Sequence, residues 1–404
     1  MNDSDLRQKV SAAVEYQKDN LIRYLQEIVA IPSFSSEEKE VAERVKQEMR
    51  RLKYDEVRID SFGNVIGRVG NGHQKILYDT HLDTVGIGDP SAWEYDPFKG
   101  KFENGTLYGR GTSDNKGAGA CMVYSGAIAK ELGLLEEVSL YVVGSVQEEP
   151  CEGLAYQTII TEDGLRPDCV LLGECTGLRI YRGQRGRIEM KVVTKGVSCH
   201  GSAPERGENA IYKMTEIIKK IEQLNGQLKD DAFLGSGTIA VTKIECQTAS
   251  INAIPDECTI YVDRRLTRGE TKETALKEIE EIVNGEAKVE IRHLEGRSYT
   301  GKSLSIEKYY PTWFLEENHP AIQSAVTAYR AIFAKNPEVG RWTFSTNGVY
   351  TMGIENIPTL GLGPSDEHYT HSVNDQVAVD DLIKATIFYV VFPRFFSLHS
   401  TLEP

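Results

Sequence analysis

Two short, almost continuous apolar runs, at residues 138–146 and 168–172, constrain the fold of this 404-residue chain most strongly. A strand that is apolar on both faces must be covered on both sides, which is typical of parallel sheets flanked by helices. Apolar residues at helical spacing precede these runs over residues 6–29, 37–52 and 122–132. Alternating helices and buried strands predict an α/β layered core.

A different pattern begins near Arg182 and ends near Leu294. It consists of half-buried, alternating strands and two amphipathic helices in the order β-α-β-β-α-β, which predicts a ferredoxin-like unit. Helical and buried-strand signals then return at 320–334, 359–361 and 381–392. We therefore expect an α/β core domain in two segments, residues 1–181 and 296–404, interrupted by an inserted domain at 182–295. The inserted elements are expected at 187–194, 210–224, 237–245, 258–266, 273–283 and 288–293.

Charge and composition narrow the classes of partner. The formal net charge of -14 disfavours nucleic acid and anionic membranes. The polar N-terminus lacks the apolar stretch of a signal peptide, and residues 385–392 are too short to span a bilayer. An odd number of cysteines, seven, without a CxxC pair predicts a reducing, cytoplasmic compartment.

Histidines and carboxylates stand where a metal site of a hydrolase would need them. Such a site requires His and carboxylate ligands and an open position for water. The candidate ligands follow apolar strands or lie in glycine-rich turns, and they are His81, Asp114, Glu149, Glu174 and His371. Asp83 can accept a hydrogen bond from the second ring N–H of His81.

Each candidate has a plainer alternative when taken alone. A lone histidine such as His81 is more often structural, and the glycine-rich loop around Asp114 could be a surface turn, although it lacks the P-loop ending. Glu148 and Glu149 could be solvated, but they follow a buried strand, and adjacent side chains on extended backbone point opposite ways. One carboxylate could therefore bind metal while the other faces the bound water. Spacing alone does not choose between His371 and His368.

Taken together and in this order, the motifs resemble the zinc peptidase and aminoacylase family. That family includes acetylornithine deacetylase, succinyl-diaminopimelate desuccinylase, the aminoacylases and the glutamate-releasing carboxypeptidase. The resemblance covers nearly the whole chain. Within the family, the chain is similar in particular to a subgroup of hydrolases linked to selenium and purine metabolism. It implies a zinc-peptidase-like α/β core with a ferredoxin-like lid or dimerisation domain.

The resemblance assigns roles to the candidate ligands. It implies that His81, Asp114 and Glu174 bind one zinc, and that Asp114 bridges to a second zinc. Glu149 and His371 would complete the second site, and the following Ser-Val-Asn-Asp tail favours His371 over His368. Asp83 would orient His81, and Glu148 would be the general base. The implied cofactors are two divalent cations per chain, zinc first, with cobalt or manganese as alternatives.

The inserted domain also carries residues that match the family. His200 matches the histidine that polarises the scissile carbonyl, and Asn252 and Arg265 match substrate-contacting positions. Arg265 suits bidentate binding of a carboxylate. Ser345-Thr346-Asn347-Gly348 replaces a more usual Gly-Gly-Thr-Asp run, so we expect Asn347 and Gly348 at the substrate. The resemblance implies a homodimer through the inserted domain, with His200 acting in cis or in trans.

The expected activity is hydrolysis of an amide bond in a small N-acyl or ureido amino acid or a dipeptide. A deacylase and a dipeptidase or carboxypeptidase remain alternatives, because the motifs do not separate them. A catalytically silent metal-binding homologue is disfavoured by the presence of Glu148. A nucleotide-dependent oxidoreductase is disfavoured because no GxGxxG motif occurs.

Overall fold

The computed structural model describes residues 2–400. Its helices and strands fall close to the positions that periodicity predicts. In α2, for example, Val41, Ala42, Val45 and Met49 form one buried stripe, and charged residues cover most of the opposite face. The helices are α1 (Asp3–Val29), α2 (Lys39–Arg51), α3 (Gly117–Glu131), α4 (Ala210–Asn225), α5 (Lys272–Val283), α6 (Pro320–Phe333), α7 (Gly348–Thr351) and α8 (Val379–Ser400).

The strands form one large mixed sheet, one five-stranded sheet and three small sheets. They are β1 (Glu56–Ile59), β2 (Val65–Val69), β3 (Gln74–His81), β4 (Lys101–Glu103), β5 (Thr106–Tyr108), β6 (Val138–Ser145), β7 (Cys169–Leu172), β8 (Ile180–Tyr181), β9 (Gly183–Gln184), β10 (Gly186–Lys195), β11 (Thr238–Gln247), β12 (Glu257–Leu266), β13 (Ala287–Ile291), β14 (His293–Arg297), β15 (Ser303–Glu307), β16 (Tyr309–Tyr310), β17 (Trp313–Phe314), β18 (Val339–Gly340), β19 (Thr359–Gly361) and β20 (Gln376–Ala378).

The large sheet has eight strands in the order β1-β2-β6-β3-β7-β19-β8-β18. Its central strands β6, β3, β7 and β19 are parallel, as the two apolar runs predict. Helices α1, α3, α6 and α8 pack on one another beside this sheet, and their apolar residues join one hydrophobic core. The parallel centre places the carboxyl ends of four strands at one edge of the sheet.

The inserted elements form a separate antiparallel sheet in the order β11-β12-β10-β13, covered on one face by α4 and α5. This is the strand order of a ferredoxin-like unit. The sequence predicts one strand over 288–293, but β13 ends at Ile291 and His293 begins β14, which pairs with β15 instead. Strand β16, beyond the expected boundary at 295, pairs with β10. None of the helices over residues 2–400 combines the length and apolar character that a bilayer-spanning segment requires.

Candidate metal centre

The candidate ligands meet at the carboxyl edge of the large sheet. In the parallel register His81 at the end of β3 lies opposite Ser145 at the end of β6. His81 is the last residue of β3, and Glu149 follows the end of β6 at the same edge of the sheet. Glu174 follows the end of the neighbouring strand β7. The loop after β19 brings His371 to this edge. The parallel topology thus explains why residues distant in sequence gather at one place.

Asp114 lies between the two histidines. Its Oδ1 atom is 2.9 Å from Nε2 of His81, and its Oδ2 atom is 3.2 Å from Nε2 of His371. The peptide bond that follows Asp114 is cis. One carboxylate thus faces two imidazoles with different oxygens, which is the arrangement of a bridging ligand.

Each histidine also faces a second carboxylate. Nε2 of His371 is 3.1 Å from Oε2 of Glu149, and Nε2 of His81 is 3.9 Å from Oε1 of Glu174. Ligand atoms of His81, Asp114 and Glu149 all lie within 4.8 Å of one another. The structure therefore brings together all five residues that the sequence singles out as ligands.

His81 is oriented by the Asp83 residue, but chiefly through its backbone. The carbonyl oxygen of Asp83 lies 2.8 Å from Nδ1 of His81, whereas Oδ1 of the Asp83 carboxylate is 3.6 Å away. That carboxylate instead accepts the backbone N–H groups of Glu148 and Glu149, each at 3.1 Å. From the sequence, the Asp83 carboxylate is expected to accept a hydrogen bond from the ring N–H of His81. In the structure it mainly holds the Glu148–Glu149 backbone against β3.

The electrostatics of the cluster suit cations. Burial raises the pKa of Glu148 well above its ordinary value and that of Glu174 to about 8. Hydrogen bonds to Asp114 and Glu149 raise the pKa of His371 to about 10. Buried carboxylates that repel one another need compensating positive charge, and imidazole with carboxylate oxygen is a donor set that Zn²⁺ and similar ions accept. The residues present therefore fit divalent metal ions.

Asp375 fixes the loop that carries Asp114. Its buried carboxylate accepts hydrogen bonds from Arg110 at 3.1 Å and from the backbone N–H of Gly111 at 2.7 Å. It also accepts from the hydroxyl of Thr112 at 2.9 Å, and from the backbone N–H and hydroxyl of Ser113 at 2.8 and 2.7 Å. Asp375 follows His371 by four residues, so it ties the loop of Asp114 to the loop of His371.

A cavity of about 240 Å³ opens beside the cluster. Glu148 and Arg265 both line it, so the expected base and the expected carboxylate-binding residue share one cavity with four of the five candidate ligands, all but His81. Several other lining residues are not predicted from the sequence, because they belong to no motif with a recognisable spacing. These are Glu152, Arg187, Phe344 and Thr370.

His200 and Asn252 lie together in the inserted domain. His200 is exposed and forms a bridge with Ala253, and the carbonyl of Asn252 accepts the backbone N–H of Gly201 at 2.6 Å. The side-chain contact of His200 is with Ser202, 2.7 Å from Nδ1, and neither His200 nor Asn252 lines the cavity. The structure therefore groups these two residues with each other but not with the candidate ligands.

Asn347 and Gly348, which are expected at the substrate from the sequence, do not line the cavity in this structure. The amide of Asn347 is fully buried, donates to Asp79 at 2.9 Å and Ser145 at 3.1 Å, and accepts the backbone N–H of Gly153 at 2.7 Å. At Gly348 an added Cβ would lie 2.2 Å from the Trp313 ring. Both positions are therefore filled by internal contacts, and Ser345 is the member of this run that reaches the cavity.

Comparisons with known proteins agree with this architecture. A family model described as the peptidase dimerisation domain of M20 matches residues 182–290. The uncharacterized protein YgeY of Escherichia coli strain K12 is 45% identical over 384 residues, which cover 94% of this chain and 95% of that protein. A succinyl-diaminopimelate desuccinylase of Ehrlichia canis is 27% identical over 343 residues, covering 82% and 85% of the two chains.

A solved structure resembles the whole chain. YXEP of Bacillus subtilis, described as a dinuclear metal binding peptidase from the M20 family, superposes with a TM-score of 0.67. The two chains are 14% identical, and the match covers 96% of this chain and 100% of that one. The overall fold is thus common to both. The chain belongs to the M20 family of zinc peptidases and deacylases, whose members are metal-dependent peptidases and amidohydrolases.

Proposed function

We propose that the protein is a two-metal hydrolase that cleaves an amide bond of a small N-acyl or ureido amino acid. The observation that carries the proposal is the position of Asp114 between His81 and His371, with one carboxylate oxygen toward each ring. His81, Asp114 and Glu174 would hold one ion, and Asp114, Glu149 and His371 the other. Two bound divalent cations, zinc first among them, would polarise the scissile carbonyl and lower the pKa of water.

Glu148 has the placement of a general base. It is buried, lines the cavity beside Glu149 and Glu174, and its backbone is held by the carboxylate of Asp83. In the proposed reaction Glu148 takes a proton from the attacking water and later gives it to the leaving amine. A carboxyl group whose pKa is raised by burial holds that proton between the two transfers more readily than a solvated one.

The position of Arg265 supports the proposal that the substrate carries a carboxylate. It lines the cavity on the side of the inserted domain, where Asp263 fixes its guanidinium at 2.7 Å. A planar guanidinium binds carboxylates in a bidentate manner, which would set the position of the neighbouring amide. Asn252 would contact the substrate from the same domain.

His200 is proposed to stabilise the developing oxyanion after the inserted domain closes. It is exposed and does not line the cavity in this conformation, so a domain movement or a second subunit must bring it there. The match of residues 182–290 to a dimerisation domain supports a homodimer. All seven cysteines are unpaired, which supports a reducing, cytoplasmic location.

The experiment that tests this function is a substrate panel. Metal-reconstituted protein is assayed with N-acyl amino acids, ureido acids and dipeptides, with Glu148→Gln as the matched inactive control. We expect the acyl or ureido compounds to be turned over in preference to the dipeptides. Faster turnover of dipeptides would instead favour a dipeptidase or carboxypeptidase, and no turnover of any class by metal-loaded protein would favour a silent homologue.

A further inference from the structure

The segment that follows β6, residues 146–149, is held by side chains from three other parts of the chain. Each of its four backbone N–H groups donates to one of these side chains. The acceptors are Asn64 for Val146 at 3.0 Å, Glu38 for Gln147 at 3.1 Å, and Asp83 for Glu148 and Glu149 at 3.1 Å each. The path of the 146–149 segment therefore depends on these three acceptors.

Gln147 is the residue at which the 146–149 segment leaves the strand direction. Its φ is 62°, in the left-handed region that residues other than glycine seldom adopt, and its side chain is buried. The side-chain amide of Gln147 donates to the hydroxyl of Ser36 at 2.8 Å. A left-handed residue interrupts the alternation of a strand, so the conformation of Gln147 sets the direction in which Glu148 points.

Glu38 is a fully buried acid that its own helix does not use. It directly precedes α2 but forms no capping hydrogen bond there. Its Oε1 atom accepts the backbone N–H of Gln147 and lies 3.5 Å from the side-chain nitrogen of that residue, whereas over residues 2–400 no group forms a hydrogen bond with Oε2. Burial and the nearby charge of Asp83 raise the pKa of Glu38 to about 7. Because burying a carboxyl group with so few partners costs stability, packing alone does not account for Glu38.

We propose that Glu38 is a positioning residue for Glu148, because it fixes the backbone of Gln147 and thereby directs the Glu148 carboxyl group toward the cavity. The inference rests on the proposed function, in which Glu148 is the general base. Glu38 does not line the cavity, so it acts on the reaction only through the 146–149 segment. A displacement of the base by about 1 Å from its reacting position slows a reaction by about 10².

The first test compares two substitutions of Glu38 in metal-loaded protein. Glu38→Ala removes the acceptor of the Gln147 N–H, whereas Glu38→Gln keeps an oxygen that can accept it. We expect Glu38→Ala to lower kcat about 10- to 100-fold with KM and metal content unchanged, because the substrate and metal contacts remain. Glu38→Gln should keep most of the wild-type kcat. Equal losses of kcat in both variants, or a loss of metal in Glu38→Ala, would overturn the inference.

Glu48→Ala is the matched control for the loss of a buried carboxylate from α2. Neither Glu48 nor its partners line the cavity. The partners are Arg44, Arg51 and Tyr124. Glu48→Ala should be less stable in a denaturant titration but keep its kcat at temperatures where it is folded. A fall in kcat as large as that of Glu38→Ala would assign both losses to destabilisation and would overturn the inference.

A second test asks whether Glu38 acts through Glu148. The base is already lost in Glu148→Gln, so the addition of Glu38→Ala should change the residual kcat by less than about twofold. A further fall of about tenfold in the double variant would mean that Glu38 affects a step other than proton transfer by Glu148, and would contradict the inference.

Hydrogen exchange followed by mass spectrometry gives a readout that does not depend on activity. We expect the amides of residues 146–149 to exchange at least about tenfold faster in Glu38→Ala than in the wild type, Glu38→Gln or Glu48→Ala, because the loss of an acceptor frees the segment. If exchange behaves in this way but wild-type protein hydrolyses no amide, Glu38 still positions the segment and only the proposed function fails. Unchanged exchange in Glu38→Ala would overturn the inference whatever the activity.

Discussion

Oδ1 of Asp375 accepts both the backbone N–H of Ser113, at 2.8 Å, and its hydroxyl, at 2.7 Å. Ser113 directly precedes the carboxylate that lies between His81 and His371. The two loops that carry the candidate ligands Asp114 and His371, one after β5 and one after β19, are thus held together by the side chain of Asp375, which is not itself a candidate ligand. Partners of this kind affect metal affinity because they fix the direction of the ligand.

Asp375→Asn should weaken metal binding. An amide replaces one acceptor oxygen with an NH₂ donor and leaves Arg110, which is 3% exposed, without a charged partner. We expect metal affinity, measured by competition with a chelator, to fall about 10- to 100-fold. The control Asp19→Asn changes an exposed aspartate on α1 and should leave affinity unchanged. Unaltered metal affinity in Asp375→Asn would show that metal binding does not depend on the hydrogen bonds between Asp375 and the Asp114 loop.

Glu148→Gln and Glu149→Gln should differ although the residues are neighbours. Glu149 is 3.1 Å from His371, whereas the Glu148 side chain lines the cavity. Glu148→Gln should keep its metal content while kcat falls by about 10² or more, because the proton acceptor is lost. Glu149→Gln should lower metal content. Steady-state kinetics and elemental analysis of both variants test this difference. Normal turnover by Glu148→Gln would show that Glu148 is not the general base.

Asn347→Asp should reduce stability rather than substrate affinity. The new carboxylate would face the buried Asp79, whose pKa burial already raises, and Asn347 would lose its role as donor. We expect the free energy of unfolding to fall by about 2–4 kcal/mol, measured by denaturant titration. Asn356→Asp, at an exposed left-handed position, is the control and should be nearly neutral. A raised KM with unchanged stability would restore Asn347 to the substrate site.

Mixing two inactive variants tests whether His200 acts across a dimer. Chains with His200→Ala and chains with Glu148→Gln should regain activity after subunit exchange, since a heterodimer carries one site with both residues intact. Mass spectrometry monitors the exchange of subunits between dimers, and activity is measured after exchange. No recovery despite proven exchange would place His200 in the same chain as its site. A strictly monomeric, active protein would contradict the dimer itself.

The sequence predicts that the candidate ligands lie close together because several follow a local signal, such as the end of an apolar strand before Glu149 or Glu174. It also predicts the order of elements in the inserted unit. It does not predict the contacts between segments far apart in the chain. The hydrogen bond from Ser113 to Asp375, for example, joins residues that are 262 positions apart. Nor does the sequence predict that Ser345 lines the cavity while the amide of Asn347, at the turn into α7, points inward to Asp79 and Ser145.

The central claim is a two-metal site in which Asp114 is shared. The most direct measurement is elemental analysis of gently purified protein beside Asp114→Ala, with hydrolysis assayed as metal is removed and restored. The account predicts about two divalent ions per wild-type chain, loss of both in Asp114→Ala, and activity that disappears in chelator and returns with metal. A wild-type protein that binds no metal and keeps full activity in strong chelator would contradict it.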